Sequence, residues 1–221
     1  MNNEIVNFGD PAENFFLSRV LPEGFVERKE VQDNVVEYFA SFDEVIQDFN
    51  AEELPREDEK DNSESYKIDA LHKMAFISLK QESGGTLKMF ALYPSLKEVL
   101  NQGSTLFIDE LNARLHPLLV RNTILTFLSL EINTRNAQLV FTTHDIWQFS
   151  NELLRRDEIW MVNKNRDEVS ELYSLVEFKD EEGNKVRRDE ALAMNYLTGN
   201  YGAIPALKPM KMLKGRATDG K

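Results

Sequence analysis

Two short apolar runs constrain this chain more than anything else in it. Thr105-Leu106-Phe107-Ile108 ends in Asp109-Glu110, and Leu139-Val140-Phe141 ends in Thr142-Thr143-His144-Asp145. A run so short, apolar and abruptly terminated by polar residues is the pattern of a strand buried on both faces. Between the two, Pro117 opens a helical stretch over residues 117–131, because proline is favoured in a helix's first turn. Strand, helix, strand is the unit of a parallel sheet with its crossover helix. In such a sheet, polar residues at strand carboxyl ends face the ligand crevice. The expected fold class is therefore α/β, a mostly parallel sheet flanked by helices, with Asp109, Glu110 and His144 at one end of it.

The flanking segments complete this outline. Val31, Val35, Val36 and Phe39 recur at helical spacing, as do Phe42, Val45, Ile46 and Phe49, so residues 1–50 read as a largely helical arm. From Ser41 to Glu64 there are ten acidic and two basic residues, and residues 50–64 read as an acidic, mobile loop. The expected division is an arm over 1–65, a lobe over 66–206 and a basic tail over 207–221. Tyr66, Ile68 and Ala70 alternate with polar residues as in a strand, and Met74, Phe76 and Ile77 suggest a second. A helix is expected from Thr86 to Leu100, kinked or split at Pro94. Ile146–Leu154 reads as helix, Glu158–Val162 and Val169–Leu175 as strands, and 189–198 as a last helix.

Composition removes several classes of function. The 221 residues contain no cysteine, which excludes a disulfide-built scaffold and a cysteine zinc site. Hydrophobic residues make up 42%, enough for a folded core. The start MNNEIVNFGD lacks the basic, then apolar pattern of a signal peptide, and no run approaches a membrane span, so a cytoplasmic location without a membrane partner is expected. A net charge of −12 argues against coating nucleic acid by electrostatics alone. His72 and His116 are expected to be structural, since three histidines without cysteine make a poor zinc set.

The strand tips carry the chemistry. Asp109 suits Mg²⁺ held through its water shell, because magnesium takes few carboxylates and keeps several waters. Glu110 is placed to orient and deprotonate a water, and His144 to hydrogen-bond phosphoryl oxygens. Phosphoryl transfer asks for such positioning and electrostatics more than for covalent chemistry. Upstream, Ser83-Gly84-Gly85 precedes a helix, and its glycines allow backbone amides to approach an anion.

In this order the three elements resemble the heads of ABC-type ATPases. They are similar in particular to prokaryotic stand-alone ATP-binding proteins of the AAA family related to SMC and recombination-repair heads, some of them anti-phage or abortive-infection proteins. Ser83-Gly84-Gly85 is similar to the signature loop, Thr105–Glu110 to Walker B, Leu111–Pro117 with Asn112 to the D-loop segment, and His144 to the switch histidine. Leu71-His72-Lys73, Arg155–Trp160 and Tyr196–Ala203 also resemble this subgroup. The resemblance implies ATP with Mg²⁺ as ligands, Glu110 and His144 as catalytic residues, Asp109 at the metal, and Ser83, Gly84, Gly85 and Asn112 at the nucleotide. It implies a homodimer that sandwiches ATP, and leaves open an effector protein or nucleic acid as a further partner. One departure stands out: no Gly-x-x-x-x-Gly-Lys-[Ser/Thr] occurs in the chain. The chain is expected to be the C-terminal half of a head, completed by a P-loop from upstream sequence or a partner chain. Two other readings are a non-hydrolysing interaction module of the same fold, and a nuclease using Asp109, Glu110 and Asp145 around metal.

Overall fold

A computed structural model of the chain describes residues 3–6, 21–42, 46–53, 66–164, 168–180, 182–187 and 190–204. In chain order these form β1 (Asn3–Val6), α1 (Lys29–Ala40), β2 (Ile46–Glu53), β3 (Tyr66–His72), β4 (Phe76–Ser78), α2 (Gly84–Gln102), β5 (Thr105–Ile108), α3 (Pro117–Leu128), β6 (Gln138–Phe141), β7 (Trp160–Lys164), β8 (Ser170–Ser174) and α4 (Leu192–Leu197). They divide into two units, Met1–Asp145 and Ile146–Lys221.

The first unit is organised by α2. Ser83 caps its start, its Oγ accepting from the Thr86 amide at 3.1 Å, and Gly103, left-handed at φ 72°, ends it. Met89, Phe90, Ala91, Leu92, Tyr93, Leu96 and Val99 are all buried. A helix apolar on nearly every side belongs inside a protein. The helix continues through Pro94 as one 19-residue element, so the split that the sequence allows does not occur. Phe90 stacks edge-on with Phe25 at 5.4 Å between ring centroids and meets Phe49 at 5.7 Å. Phe39 of α1 joins the same cluster. Burial pushes the hydroxyl of neighbouring Tyr38 well above its ordinary pKa.

Two small sheets flank this helix. In one, β5 is central and runs parallel to β1 and to β6, with Phe107 opposite Ile5 and Val140. Leu106 and Ile108 are fully buried, yet Val140 is 48% exposed, because β6 is the edge of this sheet among the described residues. The expectation that β6 is buried on both faces is thereby corrected. In the other sheet β2, β3 and β4 are antiparallel. The buried Asn133 shapes the approach to β6: its side chain donates to the carbonyls of Phe127 and Ala137, and accepts from the Ala137 amide. That turn stops α3 at Leu128, short of residue 131.

The second unit holds the antiparallel pair β7–β8 and a core of Ile159, Met161, Leu175, Val186, Leu192 and Tyr201. Arg155–Trp160 and Tyr196–Ala203 serve this core: Arg156 donates to the Val186 carbonyl, and Tyr201 donates to Glu190 at 2.8 Å. Burial pushes the Tyr201 hydroxyl up to about 12.

Several expectations are corrected by this arrangement. The α/β composition holds, but the mostly parallel sheet is confined to β1, β5 and β6, and β7 lies in an antiparallel pair of its own. The helical arm over 1–65 is not a separate piece: β1 is hydrogen-bonded to β5 and β2 to β3. Ile46 and Phe49 lie in a strand, although their i, i+3 spacing reads as helix. A β-bulge between Ile46 and Asp48 resets the strand's alternation, so both side chains are buried. Ile146–Leu154 is not a helix either; only a 3₁₀ turn over Ile146–Gln148 forms. Ser150 diverts the backbone there by accepting from the Glu152 amide at 3.2 Å. The acidic loop beyond residue 53 and the basic tail lie outside the described residues.

Because Phe90 is fully buried against three other aromatic rings, Phe90→Ala is expected to lower the unfolding free energy by about 3–5 kcal/mol. Urea denaturation followed by circular dichroism measures this; a loss below about 1 kcal/mol, typical of surface positions, would contradict the core described.

Candidate functional site

Thr142, at the end of β6, joins the two central strand tips. Its amide donates to the Ile108 carbonyl at 3.0 Å, and its carbonyl accepts from the Leu111 amide at 3.0 Å. Its hydroxyl donates to Asp109 Oδ1 at 2.5 Å and accepts from the Glu110 amide at 2.8 Å. One threonine thus holds both carboxylate-bearing residues. Asp109 and Glu110 remain exposed, so their carboxylates are open to solvent and ligands. Glu110 takes a left-handed backbone, φ 48°, a region that non-glycine residues occupy at a cost and that recurs at functional sites.

The next residues fold back onto the tip of β6. Asn112 Oδ1 accepts from the Thr143 hydroxyl at 2.9 Å, and its Nδ2 lies 3.0 Å from His144 Nε2. If the amide nitrogen donates in this contact, His144 Nε2 must be unprotonated to accept. Asp109, Glu110, Asn112 and His144 therefore share one patch at the ends of β5 and β6, within a single unit of the fold. Asp109 suits a magnesium held through water, since Oδ1 is engaged by Thr142 and the group is exposed. Among the described residues no three acidic or histidine side chains gather as a metal cluster.

Ser83, Gly84 and Gly85 meet this loop at its other end. A side chain on Gly85 would come within 3.0 Å of the Arg114 carbonyl, and one on Gly84 within 3.2 Å of Arg114 Cδ. The glycine pair thus packs closely against Arg114. Ser83, Gly84, Gly85, Thr86, Arg114 and His116 border one open cleft. Ser83 Oγ is partly used as the helix cap, and it also shares a hydrogen bond with Thr86 Oγ1 at 2.8 Å. The other two histidines make local contacts. His116 Nδ1 accepts from the Leu118 amide at 3.2 Å and caps α3, and His72 Nε2 lies 2.5 Å from Glu82 Oε1.

Lys88, Thr142 and Arg114 are absent from the sequence-based set of site residues. Lys88 is a lysine in an otherwise apolar helical run, and that is the one signal that could have found it. Burial pushes its ammonium down to about 8, opposed by the nearby negative charge of Glu110 and reinforced by Arg114.

A family model described as "AAA domain, putative AbiEii toxin, Type IV TA system" matches residues 10–146, well over half of the chain. No curated protein matches it.

Folded Lys88 releases its proton near pH 8, whereas the unfolded side chain holds it to about 10.5. Between those values the unfolded chain binds more protons, so folding stability is expected to rise with pH across that interval. Lys88→Met should flatten this rise. Urea midpoints at pH 7.5 and 9.5 test it, and equal pH slopes in wild type and variant would contradict it.

Proposed function

We propose that this chain, which belongs to the AAA-domain family that its residues 10–146 match, is the ATP-hydrolysing part of an ABC-type, SMC-like head. As a member of that family it is an ATPase-like, nucleotide-binding module. The finer reading is carried by one observation: at the tips of two adjacent parallel strands Thr142 holds Asp109 and Glu110, and Asn112 contacts Thr143 and His144. In this reading Asp109 orients the water shell of Mg²⁺, Glu110 takes the proton of the attacking water, and His144 donates to the transferring phosphoryl group. Ser83, Gly84 and Gly85 serve the nucleotide held by a second head. Bound Mg²⁺ supplies charge neutralisation at the phosphates.

The chain has no phosphate-cradling Gly-x-x-x-x-Gly-Lys-[Ser/Thr], so it works with a P-loop carried by further sequence or by a partner chain. Among the described residues β6 is an edge strand of its sheet, which offers a place for such a strand to pair. The family's description as a toxin of a type IV toxin–antitoxin system favours a part in abortive infection. No described helix is long and apolar enough to cross a membrane.

The chain alone is expected to bind Mg-ATP weakly, and sub-micromolar affinity by calorimetry would contradict the need for a P-loop. When the P-loop is supplied, Glu110→Gln should cut hydrolysis by about 10²–10⁴-fold, the usual worth of general-base assistance. ATP should stay bound and hold two heads together. Phosphate release and light scattering measure both. Turnover at the wild-type rate in a folded Glu110→Gln protein removes this role from Glu110. If wild type and variant are equally inactive while still associating, the chain is a non-hydrolysing interaction module.

A further inference from the structure

We propose that Lys88 is a positioning residue of this site, fixing the backbone that presents Glu110 and Asn112; the role rests on the assignment of Glu110 given above. Lys88 lies in α2 behind the Ser83 cap and is 5% exposed. Lysines ordinarily keep their ammonium in water. Here Nζ donates to the carbonyls of Glu110 at 2.8 Å, Leu111 at 3.0 Å and Ala113 at 3.0 Å.

An ammonium has three donors and no acceptor. Three carbonyls converging on one point are what it satisfies and what an apolar side chain leaves without a donor. Those carbonyls converge because the loop turns tightly, with left-handed backbone at Glu110 (φ 48°) and again at Arg114 (φ 64°). Such conformations persist only where their surroundings over-determine them. At Glu110 the over-determination is visible: its amide donates to Thr142 Oγ1 and its carbonyl accepts from Lys88. The carboxylate of Glu110 and the amide of Asn112 project from this pinned segment. Lys88 also shares its helix with Ser83, so a single rigid element carries the signature-like loop at one end and shapes the catalytic loop from its side. Of the charged groups acting on the ammonium, Glu110 favours the charge and Arg114 opposes it.

The test uses Lys88→Met, which keeps the stem and lacks every donor. In the full chain, amide exchange read by mass spectrometry is expected to speed up at least about tenfold over residues 110–115, with α2 still protected. Unchanged exchange there in a folded variant overturns the proposal. A second measurement needs no variant: the Lys88 ζ-protons of the wild-type protein, observed by NMR below pH 7, should exchange slowly. Exchange as fast as that of surface lysines overturns it equally. In the protein completed with a P-loop, Lys88→Met should lower kcat about 10²-fold, the cost of a displacement near 1 Å. KM for Mg-ATP should change less than about threefold, because the phosphate cradle is untouched. A loss confined to thermal stability, with kcat intact, shows a purely structural lysine and overturns the positioning role. If the completed wild type hydrolyses nothing while the ζ-protons exchange slowly, the assignment of Glu110 fails and the hold of Lys88 on the loop stands.

Discussion

Burial of the helix Gly84–Gln102 on almost every side is the constraint from which the rest of the first unit follows. Its apolar residues supply the centre of an aromatic cluster with Phe25, Phe39 and Phe49. The same burial encloses one of its two lysines, Lys88 in the second turn. Placing an ammonium in a protein interior is costly unless its donors are met. The carbonyls of Glu110, Leu111 and Ala113 meet them. Packing of a helix and the shape of a loop more than twenty residues away are thus one problem with one solution.

The strand pair β5 and β6 meets that loop from the other side. Parallel pairing in register brings Ile108 beside Phe141, so the residues that follow each strand begin side by side. Thr142 then holds Ile108 through its amide, Leu111 through its carbonyl, and both Asp109 and Glu110 through its hydroxyl. Carboxylates fixed in this way yet exposed to solvent are preorganised for whatever ligand they meet. Preorganisation of this kind costs stability locally, and the left-handed Glu110 is where that cost is seen.

The two strand tips of the candidate site could be read in the sequence, because a short apolar run that stops at polar residues marks a strand end. Leu106–Ile108 and Leu139–Phe141 are apolar and stop at polar residues, and the closing residues of both runs are the ones that meet. Ser83 before Gly84-Gly85 likewise marks a helix start, and Ser83 does cap α2. The segments misread share a cause. Ile46 and Phe49 carry helical spacing only because a bulge shifts the phase of a strand, and a bulge is decided by the partner strand. Ile146–Leu154 has helical apolar spacing, but Ser150 and Asn151 spend their side chains on the Glu152 amide and the Glu190 carbonyl.

By itself, the sequence determined the class of the fold, the two strand tips with their carboxylates and histidine, and the absence of a phosphate-cradling motif. These are local properties, set by hydrophobic period and by residue type at a strand or helix end. Only the tertiary structure decided that β1 and β2 belong to the same unit as the strand tips, and that Thr142 joins them. It alone decided that Lys88 faces three carbonyls and that Arg114 lies against Gly84 and Gly85. Each depends on residues far apart in the chain brought within hydrogen-bonding or van der Waals distance, and no period or motif encodes which distant backbone a side chain will meet.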